Sequence, residues 1–85
     1  MERKNGYIYI EEGGIRFSLK EADLSTPRLT IGVQPKDTRG KWQPAAEILT
    51  QEARVSWVNM DWRNSPELVH VVSAVCSLCA SRLAA

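Results

Sequence analysis

The chain has 85 residues, of which 44% are hydrophobic and 25% charged, and its formal net charge is +1. That length and balance exclude a disordered segment, and they leave room for a single domain over residues 1–85 with one modest core and no cleft between domains. Near-neutral charge also argues against the broad basic face that general nucleic-acid binding requires.

Tyr7-Ile8-Tyr9-Ile10 and Ile15-Arg16-Phe17-Ser18-Leu19 alternate on either side of Glu11-Glu12-Gly13-Gly14, which predicts an N-terminal β-hairpin. Loop parity decides which face is apolar. With a loop of two or four residues, Ile8, Ile10, Ile15, Phe17 and Leu19 share one face, and Tyr7, Tyr9, Arg16, Ser18 and Lys20 share the other. A three-residue loop would send the tyrosines to the core. Burying the five apolar side chains together favours even parity.

Residues 21–27 read as a connection or a single helical turn. Leu29-Thr30-Ile31-Gly32-Val33 then alternates as a third strand with Leu29, Ile31 and Val33 inward, and residues 34–40 return to loop chemistry. The basic excess of the chain falls here, with Arg28, Lys36, Arg39 and Lys41 against Asp37 alone between residues 24 and 46. Such a loop is usually solvated; its other use is as a foothold for an acidic partner or phosphates.

Residues 44–53 suit a short helix, with Pro44 in its first turn, somewhat better than a strand through residues 48–50. Residues 54–60 predict a further strand, with Val55 and Trp57 on one face, Val58 and Met60 on the other, and Trp57 assigned to the core.

The last element is a long helix. Asn64-Ser65-Pro66-Glu67 supplies a capping residue, a proline for the first turn and an acid near the positive end of the helix dipole, so the helix starts at Ser65 or Pro66 and runs toward Leu83. Between Glu67 and Arg82 there is no Asp, Glu, Lys or Arg, and the apolar positions predict burial over more than half of the circumference. The 14 uncharged residues 68–81 fall short of the roughly 17 to 25 that a bilayer span needs, so no membrane role is assigned. Rows of small residues, Ser73, Ser77 and Ser81 or Cys76, Ala80 and Ala84, predict that a second side of this helix meets another helix. That helix would be the short one at 44–53 or a second copy in a homodimer.

Little in the chain points to catalysis. Cys76 and Cys79 have the Cys-x-x-Cys spelling but lie about three turns inside the helix, away from the terminus where a dipole would activate a thiol. One histidine, His70, cannot complete a zinc site with them. They read as buried structural cysteines, and His70 as a capping or surface residue. No Gly-x-Ser-x-Gly context, phosphate loop or carboxylate cluster is present, so no catalytic residue, metal or cofactor is assigned. Polar residues 1–5 do not suggest a signal peptide, and the cysteine spacing is not that of a secreted disulfide framework, so a cytoplasmic protein with reduced thiols is expected.

What remains is surface. The expected function is non-enzymatic binding to another macromolecule, as a homodimeric accessory factor or as an inhibitor or adaptor of a larger protein, with Trp42, Trp62, Arg63, Tyr7 and Tyr9 as partner-binding residues. The alternative is a nucleic-acid-binding module that uses the tyrosine face together with Arg16, Lys20, Lys36, Arg39 and Lys41. The expected fold class is α+β: a small antiparallel sheet of three to four strands packed against the C-terminal helix, with a second short helix beside it.

Overall fold

A computed structural model describes residues 1–36 and 40–84; Arg39, one of the basic-loop candidates, lies outside the described residues. Gly13 and Gly14 both adopt positive φ, 55° and 79°, and form a two-residue turn between β2 (Tyr7–Glu12) and β3 (Ile15–Lys20). Glu12 pairs with Ile15 across it. A turn with positive φ at both central residues matches the right-handed twist of the strands, and glycine adopts it without steric cost. Parity is even: Ile8, Ile10, Phe17 and Leu19 are buried while Tyr7 and Lys20 are exposed.

The same turn geometry occurs once more, at Asn5 and Gly6 (φ 54° and 80°), where it connects β2 to a three-residue strand β1 (Glu2–Lys4). Asn-Gly is a strong local signal for this turn. The strand before it is too short and too charged to show alternation.

From β3 the chain passes through a 3₁₀ turn, Glu21–Ser25, that buries Leu24, into β4 (Arg28–Gln34). β5 (Gln43–Leu49) and β6 (Arg54–Val58) follow, and each strand pairs antiparallel with the next in the order β1-β2-β3-β4-β5-β6. The sheet therefore has six strands instead of three or four. The difference lies in β1, β5 and β6.

Residues 44–53 are not a helix. β5 occupies most of them and is hydrogen-bonded on both sides, to β4 and to β6. Its pairing with β4 slips by one residue beside Pro44, where Gly32 faces Pro44 and Ile31 faces Ala46. A bulge is the place where a strand tolerates a proline, which has no N–H for the ladder. The β5–β6 turn contains no glycine, asparagine or proline; Ala53 takes the positive φ of 50° in their place. The hydroxyl of the buried Thr50 donates to the Thr26 carbonyl, and its N–H donates to the Pro27 carbonyl at 3.1 Å, which fixes this end of β5 to the entry of β4.

α1 (Pro66–Ala84) begins where the capping residues place it. Ser65 Oγ accepts from the Leu68 N–H at 3.2 Å and donates to Glu67 Oε2 at 2.9 Å. The helix crosses one face of the sheet against β2, β5 and β6, and it seats Leu68, Val71, Val75 and Cys79 on Ile8, Phe17, Ile31, Ile48 and their neighbours in one core. Each fully buried aliphatic side chain of this kind contributes about 1.5–3 kcal/mol.

Only that stripe of α1 is buried. Val69 is 58% exposed and Leu83 56%, so the expectation of burial over more than half of the circumference is corrected. A single sheet face covers one side of a helix, and with β5 in the sheet there is no second α-helix among the described residues to cover the other. By length and mean hydropathy (1.2 over Pro66–Leu83) α1 meets the requirement for a membrane span. The four core residues that anchor it to the sheet give the same composition a second reading, that of a one-sided core helix.

Candidate functional site

Among the described residues no α-helix covers the sheet face opposite α1. Outward positions follow from the register: Tyr7 and Tyr9 on β2, Arg16, Ser18 and Lys20 on β3, Thr30, Gly32 and Gln34 on β4. The partner of Ser18 on β2 is Tyr9 and on β4 is Gly32, whose partner on β5 is Pro44. One row across the sheet thus runs Tyr9, Ser18, Gly32, Pro44.

Trp42, just before β5, lies over this row. Its ring centroid is 6.2 Å from that of Tyr9, and the Tyr9 ring is in turn 6.2 Å from that of Tyr7. Gly32 lies beneath the indole: a Cβ at that position would be in ordinary van der Waals contact, 3.5 Å from Trp42 Cε3 and 3.5 Å from Ser18 Oγ. Trp42 remains 40% exposed and Tyr7 is exposed beside it, so the three rings form a continuous aromatic surface open to solvent. Between Tyr7 and Trp42 a shallow cleft of about 340 Å³ is bounded by Lys20, Asp23, Thr30 and Pro44.

The charges around the rings have both signs. The Arg16 guanidinium lies over Tyr9, with its carbon 4.7 Å from the ring centroid, a cation–π arrangement. Glu11 pairs with Arg16 across the hairpin, Glu2 with Tyr9, and Asp23 shares the cleft with Lys20. Farther along the same face Arg28 Nη1 meets Glu47 Oε1 at 3.0 Å, and Trp57 pairs with Glu47.

Five of the expected surface residues therefore come together here, Tyr7, Tyr9, Arg16, Lys20 and Trp42, although the expectation had divided them between two partner types. Lys36 lies apart, with its Nζ over the Gly13–Gly14 turn. Lys41 adjoins Trp42 in sequence and is engaged in an interaction of its own. Trp62 and Arg63 sit at a different place, below β6. Trp62 is half-buried and meets Phe17 edge-on at 6.2 Å and 77°, so its ring closes one end of the core.

Trp57 is the tryptophan that the alternation misplaced. Alternation with Val55 predicts a core position, whereas Trp57 is 41% exposed. The pairing of β5 with β6 shifts by one residue between Glu47 and Ile48, so Val55 faces Ile48, Val58 faces Ala46, and Trp57 points away from both. Gly32, Thr30 and Pro44, which shape the cleft, were not singled out either. The alternation of β4 would have placed Thr30 and Gly32 opposite Leu29, Ile31 and Val33.

The thiols are elsewhere. Cys79 is buried on the sheet-facing side of α1 and Cys76 is half-buried; both are free, and burial pushes both thiols up from the usual range. Among the described residues no three His, Cys, Asp or Glu side chains converge as metal ligands. His70 Nδ1 is 3.7 Å from Glu12 Oε2 on the surface. Compared with protein-family models, curated proteins and solved structures, the chain matches none, and its function is read from this geometry.

Proposed function

We propose that the protein is a non-catalytic docking module, an accessory factor or an inhibitor or adaptor of a larger protein, and that it takes a segment of its partner on the aromatic face of the sheet. The observation that carries this reading is the row of contiguous rings formed by exposed Tyr7 and Trp42 with half-buried Tyr9 between them, assembled from parts of the chain remote in sequence. Exposed tyrosine and tryptophan provide large contact area at low entropic cost and are the residues that dominate binding energy in interfaces. Lys20 and Asp23 at the cleft, with Arg16 and Glu11 beside it, suit a polypeptide that carries both signs of charge. A reducing compartment such as the cytoplasm suits the two free thiols.

A second reading is favoured by one contact. Arg16 stacked on Tyr9, with Lys20 on the same face, is an arrangement that also binds single-stranded nucleic acid. Glu2, Glu11 and Asp23 around the rings oppose a phosphate backbone.

The test compares the wild type with Tyr9→Ala/Trp42→Ala, matched in melting temperature, as baits in a cell extract. A protein retained by the wild type, lost by the variant and then rebound from purified components supports docking on this face. Identical captured sets overturn it. A labelled oligo(dT) that binds at low salt, dissociates steeply as salt rises and fails to bind the variant transfers the face to nucleic acid.

A further inference from the structure

The polar side chains that bound the cleft between Tyr7 and Trp42 share one property. Tyr7, Ser18, Lys20, Thr30, Trp42 and Gln43 can all donate a hydrogen bond, and Asp23 alone is confined to accepting when ionised. The apolar part of the cleft is supplied by rings, those of Tyr7, Trp42 and Pro44. Such a cleft suits a ligand that combines apolar rings with acceptors and brings few donors of its own.

The fold also restricts the backbone of that ligand. β2, β3 and β4 each have a strand on both sides, so their N–H and C=O groups belong to the sheet and an added strand finds no edge here. An α-helix is about 10–12 Å wide with its side chains, and a shallow cleft of about 340 Å³ is too small to seat its apolar face. An extended segment that needs no ladder remains. Polyproline II is that conformation, because its backbone makes no internal hydrogen bonds and its carbonyls are free to accept. Each proline adds an apolar ring and a carbonyl and has no N–H.

The charges of the face agree with this. Lys4 and Lys20 flank Tyr7 on the neighbouring strands, Glu2 pairs with Tyr9, Glu11 pairs with Arg16, and Asp23 borders the cleft beside Lys20. Lys4, Arg16 and Lys20 are thus balanced by Glu2, Glu11 and Asp23, which complements a segment without net charge and disfavours a polyanion or a polycation.

We propose that the occupant is a proline-rich segment in the polyproline II conformation, with its rings between Tyr7 and Trp42 and its carbonyls toward the donors of the cleft. From Tyr7 to Tyr9 and from Tyr9 to Trp42 the ring centroids are 6.2 Å apart. Two residues of polyproline II advance by the same length, at about 3.1 Å each. Such a segment is ordered before it binds, so a small surface can hold it at low entropic cost. The inference rests on the docking reading and names the target of that same face.

The experiment titrates the full chain into a fluorescein-labelled decaproline peptide and follows anisotropy, with a labelled Gly-Ser repeat of the same length as the flexible control. Decaproline is expected to bind with a dissociation constant of about 100 μM or tighter, and the control at least about tenfold more weakly. Tyr7→Ala and Trp42→Ala, both at exposed positions, are each expected to weaken decaproline at least about tenfold with the melting temperature kept, and Trp57→Ala to leave it within about twofold. By nuclear magnetic resonance the indole N–H signal of Trp42 is expected to shift on adding decaproline, and those of Trp57 and Trp62 to stay. The absence of saturable binding up to about 1 mM overturns the proposal. So do equal affinities for the two peptides, which mean that any extended chain is accepted, or an affinity unchanged in Tyr7→Ala and Trp42→Ala. If decaproline fails to bind while a captured protein still depends on Tyr9 and Trp42, docking on this face stands and its proline target falls. If both fail, the docking reading falls as well.

Discussion

Trp57 pairs with Glu47 on the open face of the sheet, although Val55 and Val58 of the same strand face the core. A one-residue shift between Glu47 and Ile48 produces this arrangement, since it lets two inward valines be separated by two residues. Trp57→Lys is expected to change stability by no more than about 0.5 kcal/mol, as at other exposed positions. Thermal or urea unfolding checks this; a loss of about 3 kcal/mol or more, as for a core tryptophan, would return Trp57 to the core.

Trp62 behaves oppositely. Its ring closes the core edge-on against Phe17, so Trp62→Ala is expected to destabilise by about 2 kcal/mol, roughly half of the loss for a fully buried tryptophan. Urea midpoints of the Trp57 and Trp62 variants, measured side by side, should separate clearly.

The start of α1 gives a pH prediction. A backbone N–H and the Ser65 hydroxyl hold the Glu67 carboxyl below its usual range, with smaller help from His70 and Lys36. A lowered native value means that the ionised form is favoured in the fold. The stabilisation is present above the unfolded carboxylate value of about 4.3 and is lost as pH falls through the lower native value. Glu67→Gln should therefore flatten the acid side of the stability profile below about pH 5 and leave its alkaline side alone. Ser65→Ala, which also removes the acceptor of the Leu68 N–H, should cost about 1 kcal/mol at neutral pH.

The cysteines give the converse sign. Burial raises both thiols, so the protonated form is favoured in the fold and the associated stability is present below the unfolded thiol value of about 8.5. It is lost as pH rises through the higher native values. At pH 8 a thiol reagent should modify Cys79 at least about tenfold more slowly in the native protein than in denaturant, with Cys76 intermediate. Equal native and denatured rates would show that the contact of α1 with the sheet does not cover Cys79.

The elements legible in the chain were those whose signal is local. The parity of the β2–β3 hairpin follows from two glycines and the alternation beside them, the inward side of β4 from Leu29, Ile31 and Val33, and the start of α1 from Ser65-Pro66-Glu67. Asn5-Gly6 was an equally local signal, but the charged strand β1 next to it hid its meaning. The exposed character of Tyr7 came with the parity.

Other features have no local cause. β5 reads as a helix because Ala45, Ile48, Leu49 and Ala53 fit a helical face, its turn lacks glycine, and the hydrogen bonds that make it a strand are supplied by β4 and β6. The outward turn of Trp57 depends on a bulge set by pairing between two strands, and the meeting of Trp42 with Tyr9 on a stacking of β2 to β5 that only the whole sheet creates. Local backbone preference and hydrophobic period determined which segments would form the hairpin, β4 and the helix. Tertiary structure decided which further segments joined the sheet, which face each aromatic took and how much of α1 was covered, because those depend on cross-strand pairing and burial between residues far apart in the chain.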